Sequence, residues 1–595
     1  MEGDKVCNKY LDENYEHYVV EYRGEFQDQI NKLDYACGTT ITDTLAVVAV
    51  ESNNLNKLRL DVPSIIFVEA KSIYVLQEID PSNADNIHKL KINPYLNLTG
   101  KGVLVGMIDS GINYLNQEFI REDDTSRILR IWDQNVQVKA KSDFKFGTVY
   151  YNEEINEAIK TYKSGGDPYS IVNCKDEVDH GTKMAGIIGA RGYNGQMQGI
   201  AHDCDFLVVK LLESPNYKKG LRENNLKQVP VYSNAEILSA IEFLRKTAEE
   251  INRPLVIFCG VGSQDGSHDG YNITSRFITS LANEEGVIFV AGTGNSGNSE
   301  GHAMNYIKNS GDVGTVELVI SKSMKYFEFY IWVQKPDIMS LNVIDPSGEE
   351  MGYFVPKIYS TYEKNFYLLN TNLKVTGYNP ENFIGHQLFL LSFTDIKGGI
   401  WKINLRGEYI TNGRFDIWLP DKTLLPEDTK FLNSNQDTTL TIPSTAKRVT
   451  TVAYYNSMNN SIVAASGKGW DSNEIINPDL TADGVNILTT SGDNDKIISI
   501  SGSSAATAIV AGAICLLIQW QINNLKDPGV YSVKLRSFLI YGARREENYE
   551  YPNKDIGYGK LDLLESFNVI GGGHRYKEKY IEYYINNLFI RYPLD

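Results

Sequence analysis

Between residues 18 and 77, short apolar runs of strand length alternate with amphipathic runs of helical period: YVVEYRG, FQDQINKL, TLAVVAV, NLNKLRL and SIIFVEAKSIYVLQ. This βαβ-βαβ order predicts a small ferredoxin-like unit. The polar, proline-containing EIDPSNADN that follows predicts a linker. From about 86 to 305, KGVLVGMID, CDFLVVKLL, PLVIFCG and VIFVAGTG read as buried strands, with KMAGIIGA, NAEILSAIEFLRKTAEEI and TSRFITSLANEEG as helices among them. The alternation predicts an α/β unit with a mostly parallel sheet covered by helices on both faces. In such sheets ligands sit beyond the C-terminal ends of the strands.

The pattern changes between 306 and 436. There VGTVELVIS, YFEFYIWV, LNVIDPSGEE, HQLFLLSF, GIWKINLRG and GRFDIWLP follow one another with turn residues between them and little helical period. This predicts a β-sandwich of jelly-roll type. The α/β pattern resumes at STAKRVTTVAYYN and runs on past Ser504, so the sandwich is expected as an insertion. The expected organisation is therefore an N-terminal unit over 1–77, an α/β unit over 86–305, the sandwich over 306–436, and the rest of the α/β unit with a Tyr-rich tail over 437–595.

Charge and composition narrow the function classes. Lys and Arg number 58 against 75 Asp and Glu, a formal charge of −17, and no basic stripe offsets it, which argues against nucleic-acid binding. With 42% hydrophobic residues the chain can build large cores. Its longest apolar run, Ala505 to Ile518, is shorter than the roughly 20 residues that span a bilayer, so a buried helix is expected and no membrane-spanning segment. The six cysteines form no CxxC pair and read as buried or free thiols of a reducing compartment. The N-terminus has no signal-like apolar segment, so synthesis in the cytoplasm is expected. His202, His268, His302 and His386 lack partners at ligand spacing; no metal and no organic cofactor is expected, and nothing indicates calcium.

Three segments can supply an acid, a base and a nucleophile: VGMIDSGIN around Asp109, DHGTKMAGIIGA around His180 and SGSSAATAIVAGA around Ser504. A serine hydroxyl attacks a carbonyl only when a base takes its proton, and the imidazole works best when a buried carboxylate fixes its tautomer. Asp109 ends a strand, His180 opens a helix, and Ser504 heads an apolar helix whose N-terminal field favours developing negative charge. Asn295, in the Gly-rich turn VAGTGNSG, can donate its amide to an oxyanion. Asp179 directly precedes His180 and is a poor triad acid, because neighbours on a chain rarely face one another. Asp176, Glu177 and Asp179 read as a solvated rim, and Cys259 as a core thiol. The backbone of Gly260, Val261 and Gly262 is the candidate edge for pairing with an extended peptide.

Asp109-Ser110-Gly111, His180-Gly181-Thr182, Gly294-Asn295-Ser296-Gly297 and Gly502-Ser503-Ser504-Ala505-Ala506 resemble the motifs of the subtilisin-like serine proteases of family S8. PDLTADGVNI and GYGKLDLLES extend the resemblance over most of the chain. It implies a triad of Asp109, His180 and Ser504 with Asn295 as oxyanion donor. Ser503, Ala505, Ala508 and Ile509 depart from the Thr, Met, Pro and His usual around and after the nucleophile, and Asp483 replaces a proline. Ala505, Ala508 and Ile509 alter the packing beneath the serine and are expected to narrow activity to few substrates.

The interval from Asn295 to Ser504 far exceeds the roughly 65 residues of subtilisin, and the inserted sandwich accounts for the surplus. The insertion, the N-terminal unit and GSQDGSHDG near Gly266 resemble the Csp germination proteases of spore-forming bacteria. That resemblance implies a spore protease that removes the propeptide of a cortex-lytic proenzyme during germination. Its own N-terminal unit would be a propeptide, held non-covalently after a cut between Gln77 and Glu78, with Tyr74 in a hydrophobic subsite. A catalytically idle relative acting as germinant sensor or scaffold, and a general intracellular subtilisin, are the alternatives.

Overall fold

The computed structural model describes residues 7–77, 98–136, 144–193, 195–492, 496–524, 527–570, 580–585 and 588–593. The expected linker after Gln77 begins outside them, as does Glu78.

The N-terminal unit runs β1 (Tyr15–Tyr22), α1 (Phe26–Ile30), β2 (Ala36–Thr40), β3 (Leu45–Glu51), α2 (Leu55–Asp61) and β4 (Ile65–Val68). Its antiparallel sheet has the order β2-β3-β1-β4, the ferredoxin-like arrangement. Two details differ from the sequence pattern. ACGTT, with no large apolar residue, forms β2 because it completes the ladder of β3 and buries Ala36 and Gly38. SIIFVEAKSIYVLQ is not one strand: the chain breaks after Val68, and β5 (Ile73–Leu76) joins a different sheet.

The cysteines also depart from expectation. Cys7 and Cys37 form a disulfide across 30 residues, while Cys174, Cys204, Cys259 and Cys515 are buried thiols. No motif announced the pair, because a ladder rather than local spacing brings Cys37 to the N-terminal arm. Closing a loop of this size removes about 3–4 kcal/mol of entropy from the unfolded chain. The arm also reaches beyond its own sheet: Tyr10 is fully buried and stacks on Phe146 at 4.6 Å, and the Cys7 N–H donates to the Lys145 carbonyl.

The central sheet contains β6 (Leu104–Asp109), β7 (Ile128–Asp133), β8 (Thr148–Tyr151), β9 (Asp205–Lys210), β11 (Leu255–Cys259) and β13 (Val287–Gly292). The helices and short strands around these are α3 (Asn152–Lys163), α4 (His180–Gly189), α5 (Pro215–Glu223), β10 (Tyr232–Ser233), α6 (Asn234–Ile251), β12 (Val261–Gly262) and α7 (Ile273–Leu281). The sheet continues after the sandwich with β24 (Thr450–Asn456), β25 (Ser461–Ile462) and β26 (Leu480–Asp483). Its order is β25-β24-β13-β11-β6-β9-β7-β8, with β26 beside β24; all pairings are parallel except β7/β8 and β24/β25.

Alternate residues of β6 feed opposite cores. Val105 and Met107 pack toward α8 (Ser503–Asn524), whereas Leu104 and Ile108 pack toward α6 and the N-terminal sheet. Apolar around most of its circumference, α8 has no face suited to water and is enclosed by protein, although its length and composition alone would suit a membrane.

Two antiparallel sheets make the sandwich. One is β14-β22-β16-β20-β19-β18: β14 (His302–Tyr306), β16 (Met324–Val333), β18 (Ser360–Phe366), β19 (Thr371–Tyr378), β20 (Gln387–Ile396) and β22 (Arg414–Trp418). The other is β17-β21-β15-β23: β15 (Val313–Ile320), β17 (Ile338–Ile344), β21 (Gly399–Tyr409) and β23 (Lys430–Phe431). Phe329, Leu391 and Phe393 of the first interleave with Leu341, Trp401 and Leu405 of the second to form a core of its own.

Candidate active site

The parallel strands end in the turns that carry the predicted chemistry. Asp109, the last residue of β6, is fully buried, and its carboxylate oxygens lie 2.8 and 2.9 Å from Nδ1 of His180, the first residue of α4. Close approach of the two elements requires small residues. A Cβ on Gly181 would sit 2.1 Å from the Gly111 carbonyl oxygen, and one on Gly260 would sit 1.8 Å from Asp109 Oδ2. Gly260 therefore keeps room for the acid as well as a backbone edge.

The expected solvated rim is only partly that. Asp176 accepts from the Ser110 hydroxyl at 2.7 Å, from the Asp179 N–H at 3.0 Å, and from the Thr182 N–H and hydroxyl at 2.9 and 2.7 Å. It thus ties the turn after Asp109 to the first turn of α4. Sequence separation hid the link to Ser110, which lies 66 residues before Asp176. Asp179 adopts the left-handed conformation, φ +66°, and its Oδ1 accepts from the Gly492 N–H.

Ser504, 2% exposed, is the second residue of α8. Its hydroxyl lies 3.4 Å from the Gly260 carbonyl oxygen. Asn295 is beside it: the Ser503 N–H donates to Asn295 Oδ1 at 3.1 Å, which leaves the NH2 of that amide as the group able to donate. Cys259, one residue before the pairing edge, is buried, and burial pushes its thiol up to about 12, so it stays protonated.

The cleft is filled by the chain's own β5. It pairs antiparallel with β12 on one side (Leu76 opposite Val261, Val75 opposite Gly262) and with β10 on the other (Tyr74 opposite Tyr232). Gln77 continues the strand: its N–H donates to the Gly260 carbonyl and its own carbonyl accepts from the Ser504 N–H, both at 3.2 Å. The side chain of Gln77 is buried where Gly262, Gly294 and Thr441 converge; Cβ atoms on Gly262 and Gly294 would lie 3.0 and 2.9 Å from its amide. Tyr74 is fully buried in the core beneath α6 and α7. Just upstream, Glu69 accepts from the N–H groups of Ile273 and Thr274 at the start of α7 and from Asn234 Nδ2 at the start of α6. Burial still pushes its carboxyl up to about 7.

His268, His302 and His386 belong to the junction with the sandwich, whereas His202 lies apart from it, its carbonyl accepting from Arg127 Nη1. His268 and His302 stack on Trp418 at 4.2 and 4.8 Å, His302 Nε2 lies 3.0 Å from Asp416, and His386 faces Asp269. Among the described residues no three His, Cys, Asp or Glu side chains are grouped as metal ligands.

A buried Asp–His pair and a serine at a helix N-terminus, set on the turns that follow parallel strands, are the groups of a serine hydrolase of the subtilisin type. The subtilase family model of peptidase S8 matches residues 100–339 and 413–559, more than half of the sequence, and the chain belongs to that family. The unmatched interval lies within the sandwich. Among solved structures, the CspB protease of Clostridium perfringens is 30% identical, with a TM-score of 0.70 over 81% of this chain and 96% of that one. Fervidolysin from Fervidobacterium pennivorans, a keratinolytic enzyme related to subtilisin, is 11% identical over 96% of this chain and 62% of that one, with a TM-score of 0.46. No curated protein matches the chain. The protein is a subtilisin-like serine protease, Csp-like in structure.

Proposed function

We propose that this protease cuts its own chain between Gln77 and Glu78, keeps residues 1–77 bound as a propeptide whose last strand must be displaced before the cleft can take another chain, and in a bacterial spore activates a cortex-lytic proenzyme. One observation carries the self-cleavage: the Gln77 carbonyl accepts a hydrogen bond from the Ser504 N–H, where the oxyanion of acyl transfer would form. The resemblance to Csp proteases, with the likeness to a CspB protease structure, supports the spore substrate. In this reading the α/β unit over 86–305 and 437–595 is the protease, and the jelly roll over 306–436 is its insertion.

The chemistry follows from the positions. Ser504 Oγ attacks the carbonyl carbon while His180 takes its proton on the ring nitrogen opposite Asp109. Asp109 holds the tautomer and stabilises the imidazolium. The Ser504 N–H and the Asn295 NH2 receive the oxyanion. Its collapse breaks the peptide bond as His180 returns the proton to the leaving amine, and water then hydrolyses the acyl-enzyme by the same sequence. Asn295→Ala is expected to lower kcat by about 10²–10³-fold with little change in KM, measured on a peptide spanning the Gln77–Glu78 bond. A loss below threefold would remove Asn295 from the oxyanion site.

The test of the whole reading is intact-mass analysis of the expressed protein, followed by incubation with a cortex-lytic proenzyme. Wild type is expected to show two fragments divided after Gln77 that co-elute on gel filtration, and to cut the proenzyme at one site. A folded chain that cuts neither itself nor the proenzyme would overturn the proposal in favour of a non-catalytic role.

A further inference from the structure

The segment GSQDGSHDG, residues 262–270, takes no part in the chemistry above, yet it touches the strand that fills the cleft. The two residues of β12 can pair only with Leu76 and Val75. Two positions further along the strand, Asp265 Oδ2 accepts from the backbone N–H of Ile73 at 2.9 Å. Asp265 is 7% exposed, so this carboxylate sits in the wall of the groove.

The side chains divide by strand alternation. Tyr74 enters the main core, whereas Val75 and Ile73 face the other way, against Leu221, Val231 and Leu424. Leu221 belongs to α5, and Leu424 lies in the segment that follows the sandwich strand β22. The groove is therefore walled as far as the fifth residue before the scissile bond.

The loop is also anchored by contacts that do not involve the strand. The Asp265 N–H donates to Ser263 Oγ, and Ser263 and Ile442 exchange both backbone hydrogen bonds. His268 spans the carbonyls of Leu440 and Gln264 at 2.7 and 2.9 Å while stacking on Trp418 of the sandwich.

We infer that Asp265 is a substrate-positioning residue: it receives the N–H of the fifth residue before the cut, and with the apolar wall of Leu221, Val231 and Leu424 it restricts this protease to extended segments at least five residues long, apolar at the third and fifth positions. The inference rests on the reading of β5 as a substrate-like strand. It gives the insertion a task, since the ring of Trp418 braces the loop that carries the carboxylate.

Three peptides test it with the full-length protein: acetyl-Tyr-Val-Leu-Gln ahead of the cut, acetyl-Ile-Tyr-Val-Leu-Gln, and the second peptide with an ester oxygen in place of the isoleucine N–H. Ratios of kcat/KM on one enzyme form are unaffected by competition from its own β5. Wild type is expected to favour the second peptide over the first and third by about tenfold, as for the loss of one hydrogen bond. Asp265→Ala should cleave the second and third within twofold of each other, and Asp265→Asn, which keeps an acceptor, should retain most of the preference. Equal rates on the second and third peptides with wild type would overturn the inference even if the alanine variant fails to fold. Cleavage of the first peptide after Gln in that case leaves the proposed function standing; a folded chain that cleaves none of them and is not divided after Gln77 rejects both.

Discussion

Ser504→Ala, which removes the proposed nucleophile, is expected to yield a folded, full-length chain with no fragment ending at Gln77 and a kcat on peptides lowered by about 10⁶-fold. Loss of the equivalent serine in subtilisin costs about 2 × 10⁶ in kcat, and what remains comes from the oxyanion donors and binding. The Ser504 N–H survives the substitution, so the cleft should still hold β5. Stability should change little, because the hydroxyl makes one long contact, 3.4 Å to the Gly260 carbonyl oxygen. Intact mass and thermal unfolding check both halves. A chain still divided after Gln77 would mean that another group, or another protease, makes the cut.

Asp109→Asn is expected to lower kcat by about 10⁴-fold at neutral pH while leaving KM nearly unchanged. The isosteric amide fits the same space beside Gly260, where even a methyl group would be 1.8 Å from Oδ2. Its effect is therefore electronic. An amide NH2 facing Nδ1 favours the tautomer with the proton on the wrong nitrogen, and no carboxylate remains to stabilise the imidazolium. Single-turnover kinetics with the variant would show it; a loss under tenfold would mean that Asp109 does not orient His180.

The α/β fold was legible because its strands are buried on both faces and read as unbroken apolar runs, as in VLVGMI before Asp109 and LVIFC before Gly260. The site was legible because small residues have to surround it: Gly181, Gly260 and Gly294 stand where a Cβ would strike the acid, a carbonyl or Gln77. What the sequence concealed depends on pairing across distance. The strand β2 has weak propensity and exists through β3; the Cys7–Cys37 bond depends on that ladder; and Asp176 acts through Ser110 and Thr182, which no local pattern joins to it. The role of GSQDGSHDG was hidden for the same reason, since Ile73, Leu440 and Trp418 come from three separate parts of the chain.

Because β5 lies between β10 and β12 rather than on an open edge, it cannot peel away one side at a time. Departure means breaking both ladders together or sliding lengthwise, and either route has a high barrier. A newcomer faces the same geometry in reverse. It must enter as a slack, linear stretch of chain, such as an inter-domain tether in a folded target, because a strand already built into a sheet has no free edges to offer on both sides.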